Sequence, residues 1–364
     1  MLKSTIKKIA QIVAPTFFSV FGTKCDLSTN EARKILSACR QNPMGSGIAQ
    51  NELVKPYTCD LQIIVPAYNV EKYLRSCMDS VLNQKTKYSY KIVLVDDGAT
   101  DSTPQIADEY ANDDRVIVIH QKNRGLSGAR NTGLKKIFAK YVMFLDSDDM
   151  LCEGAIENLM DCAFKNDADI VEGGMRYIDR TDFTICYEHK NDIINATALG
   201  TLHGFACGKI YKAELFQNRQ FPEGFWYEDT VVSFLVYHGI EKACCIKDFV
   251  YQYRFNPNSI TRKSRGNPRS VETYWITELM MREYDELGYS KNELYFTRFF
   301  TQAIVNAKRS FALERKVQES IFVLTCELLD KYFDGIKPPK KYKKLYEFMK
   351  KRRFWAYRMY CLFV

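Results

Sequence analysis

Two apolar runs that end in carboxylates constrain this chain more than any other feature: Lys91-Ile92-Val93-Leu94-Val95-Asp96-Asp97-Gly98 and Tyr141-Val142-Met143-Phe144-Leu145-Asp146-Ser147-Asp148-Asp149. Short β-branched and aromatic runs closed by Asp and Gly are the pattern of parallel strands covered on both faces, and such sheets bind ligands beyond their carboxyl ends. Carboxylates crowded at one edge repel each other unless a cation or hydrogen-bond donors fill the gap, so a divalent metal with a phosphorylated ligand is a natural occupant. The alternation runs on around these two segments. Strands are predicted at Leu61–Val65, Tyr90–Val95, Val116–Ile119, Tyr141–Leu145 and Asp169–Val171, with helices at Val70–Asn83, Thr103–Ala111, Ser127–Ala139 and Glu153–Lys165 between them. That order predicts an α/β fold with a mostly parallel central sheet flanked by helices. After Asp179 the strand candidates are less regular: Phe205–Tyr211, Val231–Tyr237 and Val250–Arg254. From Ser270 the pattern is mainly helical. Residues 1–58, with a helix at Glu31–Arg40 and a breaker cluster from Asn42 to Gly47, read as a helical extension. The α/β domain is then 59–262, and 263–364 is a helical C-terminal region.

Composition narrows the function classes. With 364 residues, 46% of them hydrophobic, a full core is within reach. The net charge of +8 is modest, and the basic residues concentrate at the two ends while acids fill the motif region, which argues against a nucleic-acid groove. Twelve cysteines are scattered singly, apart from Cys244-Cys245, with no C-x-x-C pair; this reads as a reduced, cytosolic chain. Four histidines leave little material for a histidine metal centre or triad. No apolar run approaches the roughly 18 residues of a spanning helix. Leu2, Ile6, Ile9, Val13, Phe17 and Val20 nevertheless recur at helical spacing beside Lys3, Lys7 and Lys8, and Gln11 and Pro15 make a surface helix a better reading than a signal sequence. Near the other end, Lys340, Lys341, Lys343, Lys344, Lys350, Lys351, Arg352 and Arg353 alternate with Tyr342, Leu345, Tyr346, Phe348 and Phe354. Peripheral contact with anionic lipid and an ordinary helix with packed aromatics weigh evenly for that segment.

Five constellations carry the chemistry. At Val65-Pro66-Ala67-Tyr68-Asn69, proline fixes a turn that leaves backbone and an aromatic face for a flat ligand. Asp96-Asp97 supply acceptors for the imide of a uracil-like base, with Asp101 or Ser102 capping the next helix. The stretch Asn123-Arg124-Gly125-Leu126-Ser127-Gly128-Ala129-Arg130-Asn131 opens a helix and brings Arg130 toward a phosphate or base, without the G-x-G-x-x-G fingerprint. Asp146-Ser147-Asp148 sets two carboxylates on one side of an extended segment, where both can face a metal. Such a triplet is common by chance, but its place at a strand end favours function. Finally, Phe225-Trp226-Tyr227-Glu228-Asp229 puts an acid pair among aromatics, a setting that raises a carboxylate pKa toward that of a general base; the plainer reading is a helix cap by Asp229.

In order and spacing these motifs resemble the inverting family 2 glycosyltransferases of GT-A (Rossmann-like) fold, over roughly Leu61 to Tyr253. Gly208-Lys209-Ile210-Tyr211 is similar to the family's acceptor-side segment, and Tyr253-Arg254 through Ser259-Ile260-Thr261 to its closing loop. Ala99 stands where the family often has serine, and the Q-x-x-R-W motif of processive synthases is absent. The resemblance implies transfer of a single sugar from a nucleotide-sugar, UDP-linked, to a glycan or lipid-linked hydroxyl in bacterial surface-polysaccharide synthesis. It implies Pro66, Ala67, Tyr68, Asn69, Asp96, Asp97, Asn123, Arg130, Asp146 and Ser147 around the donor. Asp148 with Asp146 would hold Mg²⁺ or Mn²⁺, Asp229 would act as base, Glu228 would orient acceptor or base, and Lys209 would lie on the acceptor side. The alternatives are a silent glycan- or nucleotide-binding scaffold and, more remotely, a nucleotidyltransferase.

Overall fold

A computed structural model describes residues 24–178, 185–189, 191–194, 200–254 and 263–363. These separate into two compact units, residues 24–43 with 263–363 and residues 44–254. The run Leu2 to Val20 and the segment Ser259-Ile260-Thr261 lie outside the described residues.

The smaller unit is helical. Helix α1 (Thr29–Cys39) starts on a reciprocal cap in which Ser28 Oγ accepts the Glu31 amide at 3.3 Å and Glu31 Oε2 accepts the Ser28 amide at 3.2 Å. Arg40, just past its end, donates from Nε to the buried Glu272 at 2.9 Å, which ties α1 to the C-terminal helices of the same unit.

The larger unit is the α/β domain. Residues 44–57, which the sequence groups with the N-terminal extension, belong here: Asn51 Nδ2 donates to the carbonyls of Phe216 (2.6 Å) and Arg219 (2.9 Å), and β1 (Glu52–Leu53) pairs with a strand beyond the first three helices of this domain. The elements then run β2 (Cys59–Ala67), α2 (Leu74–Leu82), β3 (Tyr90–Asp96), α3 (Thr103–Glu109), β4 (Val116–His120), α4 (Gly125–Leu134), β5 (Lys136–Ile137), β6 (Ala139–Phe144), β7 (Met150–Leu151), α5 (Ala155–Asn166), β8 (Ile170–Tyr177), β9 (Ile185–Tyr187), β10 (Ile193–Ile194), β11 (Lys209–Lys212) and β12 (Ala243–Tyr253). The main sheet has the order β10-β12-β8-β11-β6-β2-β3-β4. Strands β6, β2, β3 and β4 are parallel, β11 runs antiparallel between β6 and β8, and β12 is parallel to β8. Helices pack on the sheet, and Leu61, Ile63, Ile64, Val65, Ile92, Leu94, Val95, Val142 and Phe144 are wholly buried, which is why these strands read as continuous apolar runs.

Register sets the site's edge. Ala67 pairs with Asp96 and Asp96 with His120, while Ile64 pairs with Phe144, so the chain leaves β2, β3 and β6 at one rim. Helix α4 lies close on β2: a methyl group at Gly133 would stand 2.5 Å from Ile64 Cγ2. Helix α2 begins four residues later than its periodicity suggests; ahead of it the Val70 amide donates to Thr103 Oγ1 (2.9 Å) and the Glu71 amide to Asp101 (3.2 Å). Val231–Tyr237 forms no strand; Val232–Val236 is a π-helical turn with Val232, Phe234, Leu235 and Val236 buried, so no polar face was available to reveal its period.

The remaining helices of the smaller unit are α6 (Glu272–Glu286), α7 (Glu293–Arg309), α8 (Arg315–Phe333), α9 (Lys343–Lys350) and α10 (Phe354–Phe363). Tyr342, Leu345, Phe348, Met349, Phe354 and Tyr357 are buried within it, and Lys340, Lys341, Lys343, Lys344, Lys350 and Lys351 are left exposed. No helix among the described residues is long and apolar enough to cross a membrane.

Candidate active site

The turn after β2 presents Tyr68, 47% exposed, and Asn69, whose backbone is left-handed (φ 52°) and whose Oδ1 accepts the Thr100 amide at 2.8 Å. Beside it the two acids that close β3 are buried and fully engaged. Asp96 accepts the Ala99 amide on Oδ1 (2.9 Å) and faces His120 Nδ1 on Oδ2 (2.8 Å); His120 Nε2 meets Asp108 at 3.1 Å. The hydrogen bond to Asp96, with Asp108 on the other ring nitrogen, raises the His120 pKa. Asp97 accepts from Gln121 Nε2 (2.6 Å), the Arg124 amide (2.8 Å) and the Gly125 amide (2.7 Å), so it ties the 121–125 loop to the strand end and satisfies the first amides of α4. Asn123 is exposed on that loop. The sequence points to uracil recognition by these acids; the donors that surround Asp97 show what else buries its charge without penalty.

Arg130 is the centre of the arrangement. It sits on α4 at 1% exposure, its guanidinium carbon 5.0 Å from the centre of the Phe221 ring. Nη2 donates to Asp146 Oδ1 (2.8 Å), and Nη1 donates to Glu228 Oε1 (2.9 Å) and Asp229 Oδ1 (3.0 Å). Its charge therefore acts through three carboxylates rather than through an open face of its own. These partners lie 16, 98 and 99 residues away, so residue spacing gives no hint of them. Asp229 does not cap the following turn with its side chain. Burial and the charge of Asp229 push Glu228 up to about 8 against the opposing pull of Arg130. Burial and Asp146 likewise raise Asp229, whose side chain keeps 32% of its surface exposed. Two adjacent acids sharing one arginine titrate as a pair, with one proton retained toward neutrality.

The turn after β6 is held from β12. Tyr251 OH donates to Asp149 Oδ2 (2.7 Å) and accepts the Asp146 amide (3.2 Å); Asp149 Oδ1 accepts the Arg254 amide (2.7 Å), and Arg254 Nε donates to the Asp148 carbonyl (2.8 Å). Tyr251 is a contributor that the motif reading did not name, because it stands about a hundred residues downstream; Arg254, which the sequence places at the start of the closing-loop segment, joins it here. Burial, then the charges of Asp148 and Asp146, drive Asp149 well above the usual carboxylate range. The turn thus gathers more negative charge than its donors neutralise, and Asp146 and Asp148, both partly exposed, offer hard oxygen ligands. These two residues fit a divalent cation; Ser147 between them is buried.

Lys209 lies beside this rim at 0% exposure. Register pairs it with Glu172 on β8, and its ammonium donates to Glu172, to the His203 carbonyl (2.7 Å) and to Tyr237 OH (3.3 Å). Glu172 also faces His189 Nε2 (3.0 Å) and His203 Nδ1 (3.0 Å). Although burial opposes it, Lys209 with the two imidazoles holds this carboxyl far below its ordinary value. Ligand atoms of Glu172, His189 and Cys245 come within 4.8 Å of one another, a metal-like spacing, but Lys209 already supplies the cation that Glu172 needs.

A parallel-sheet rim carrying an acidic turn and an Arg-bound acid pair fits a GT-A transferase fold. The glycosyl transferase family 2 signature matches residues 62–218. Glycosyltransferase GlyA of Streptococcus pneumoniae is 36% identical over 219 residues, which cover 56% of this chain and 31% of GlyA. The minor teichoic acid biosynthesis protein GgaB of Bacillus subtilis is 30% identical over 215 residues, 55% of this chain and 23% of GgaB. The chain therefore spans less than a third of either relative. Among solved structures, S. aureus TarS 1–349 in complex with UDP-GlcNAc superposes with a TM-score of 0.61 at 19% identity, over 82% of this chain and 89% of that one. This chain belongs to the family 2 glycosyltransferases.

Proposed function

We propose that the chain transfers a single sugar from a nucleotide-sugar, UDP-linked, to a hydroxyl of a glycan or lipid-linked acceptor, with inversion and with a divalent metal, in the synthesis of a bacterial surface polysaccharide or teichoic acid. The observation that carries this reading is Arg130, which joins Asp146 on the donor-side turn to Glu228 and Asp229 through bonds of 2.8–3.0 Å. GlyA and GgaB bear names consistent with it.

Asp229 is the base. An acceptor hydroxyl is far too weak an acid to ionise at neutral pH, so a carboxylate takes its proton as the oxygen attacks the anomeric carbon opposite the departing nucleotide. One displacement inverts the configuration. Arg130 keeps Asp229 oriented, while its raised pKa makes it a better proton acceptor than an ordinary surface aspartate. Glu228 shares the same guanidinium and orients the base. Pro66, Ala67, Tyr68, Asn69, Asp96, Asp97 and Asn123 form the nucleotide side. Asp148 and Asp146 would hold Mg²⁺ or Mn²⁺, whose chemistry is to neutralise the diphosphate leaving group. The exposed lysines of residues 340–351 suit a cytoplasmic enzyme resting on the inner face of the membrane.

UDP release from a panel of UDP-sugars, with Mn²⁺ and with Mn²⁺ plus EDTA, tests the reading. Metal-dependent release supports it. Absence of release from any donor, with UDP still bound, marks a silent scaffold instead.

A further inference from the structure

We infer that His203, with Phe205 beside it, is the acceptor contact of this site, a ring pair that receives the apolar face of an acceptor pyranose next to Asp229. The inference rests on the transferase reading above and adds to it the residues that touch the second substrate.

The starting point is Lys209. Its side chain is fully buried and its ammonium is committed to Glu172, the His203 carbonyl and Tyr237 OH, so no acceptor reaches it. What those bonds accomplish is to fix His203. The His203 amide donates to Glu172 Oε2 at 3.1 Å, its carbonyl accepts from Lys209 and from Tyr237 OH, and its Nδ1 lies 3.0 Å from Glu172 Oε1. Backbone and ring are both pinned, from a carboxylate that is itself 0% exposed.

The same short segment reaches the base. One residue on, a Cβ at Gly204 would stand 3.5 Å from Ser233 Cβ, and Ser233 Oγ donates to the carbonyl of Thr230, the residue after Asp229, at 3.2 Å; the Ala206 carbonyl accepts from Tyr211 OH at 2.9 Å. Residues 203–206 therefore run as an anchored strap from the buried Glu172 cluster to the turn that follows Asp229. Along that strap the His203 side chain is 39% exposed while Glu172 and Lys209 have no exposed surface. His203 is thus where this polar system meets solvent. Its ring centre lies 5.3 Å from that of Phe205, nearly parallel at 26°, and 4.1 Å from that of Tyr187. Phe205 is partly exposed, with the Lys209 ammonium 4.6 Å from its ring centre.

Chemistry selects the ligand class. Adjacent aromatic faces at a solvent boundary accept the C–H face of a sugar ring. With Nδ1–H donating to Glu172, Nε2 is the acceptor nitrogen and suits a sugar hydroxyl. A rigid platform beside a base is what holds an acceptor hydroxyl in attacking geometry.

Saturation-transfer NMR on the full chain, with UDP and one of methyl β-D-glucopyranoside, methyl β-D-galactopyranoside or methyl N-acetyl-β-D-glucosaminide, tests this. At least one pyranoside is expected to receive saturation on its ring C–H protons, and the signal should fall at least fivefold in His203→Ala and in Phe205→Ala while the UDP signal stays within twofold. His203→Gln, which retains an acceptor oxygen, should recover part of it. No pyranoside signal in the unaltered chain, or variants that keep their signal within twofold, would overturn the inference. Loss of the UDP signal in the unaltered chain strikes the nucleotide-sugar reading instead, so the two failures are told apart by which ligand stays dark.

Discussion

At the scale of single residues, Arg130 and the acids around it decide the chemistry. Asp229→Asn removes the proposed proton acceptor but keeps a hydrogen-bonding side chain for Arg130, so turnover should drop about 10²-fold or more with UDP affinity unchanged, as kcat measurements beside a UDP titration would reveal. Arg130→Ala has a different signature. It strands three carboxylates around an empty volume, and urea denaturation should show a loss of about 3 kcal/mol or more, since removing one partner of a buried ionic cluster is far costlier than breaking a surface pair. The pH dependence follows from Glu228. Its pKa is raised from the ordinary 4.5 to about 8, so the folded state favours the protonated form: its stability contribution is complete below 4.5 and lost as pH climbs through 8. Compared with the unaltered chain, Glu228→Gln should unfold with a flatter stability profile between pH 5 and 8; identical profiles would remove Glu228 from the titrating pair. How much of this the sequence reveals depends on distance along the chain. That Asp96 and Asp97 need donors is legible from two acids at an apolar strand end, but the donors Gln121, Arg124 and Gly125 come more than twenty residues later. That Glu228 and Asp229 are special is legible from their aromatic neighbours; that Arg130 binds both is not, because nothing local encodes a contact across 98 residues.

At the scale of elements, the close packing of α4 on β2 positions Arg130. Gly133→Ala would place a methyl group 2.5 Å from Ile64, so the helix must lift, at a cost of about 1–3 kcal/mol. Trimming the obstacle with Ile64→Val should return part of that loss, and a double-mutant cycle by denaturant unfolding would measure the coupling. Strands β2, β3 and β6 are readable because both their faces are buried, which leaves an uninterrupted apolar signal. The region 200–239 resists such reading. Its strand β11 is four residues long, its π-helical turn has no period to detect, and the strap from His203 to Ala206 is fixed by side chains from β8, β11 and Tyr237, just past the π turn, rather than by a backbone ladder.

At the scale of the whole molecule, charge and strand polarity matter most. Tyr342, Phe348, Phe354 and Tyr357 of the 342–357 segment are buried, so attachment to lipid through this segment would be chiefly electrostatic. Sedimentation with vesicles of phosphatidylserine and phosphatidylcholine should be strong at low salt, fall several-fold at 0.5 M salt, and weaken when Lys340, Lys341, Lys343 and Lys344 become Gln; salt-insensitive binding, or binding to phosphatidylcholine alone, would exclude a purely ionic contact. The antiparallel β11 has a further consequence. On the proposed reading, the donor half of the rim is made where β2, β3 and β6 finish and the acceptor half where β11 begins, so the two substrates would be governed by stretches of chain with opposite polarity and separate connections. Lengthening or exchanging residues ahead of β11 leaves the register of the nucleotide-binding strands untouched. A catalytic core of this kind can diversify its second substrate by trading one interchangeable cassette, and grafts between relatives should be spliced there.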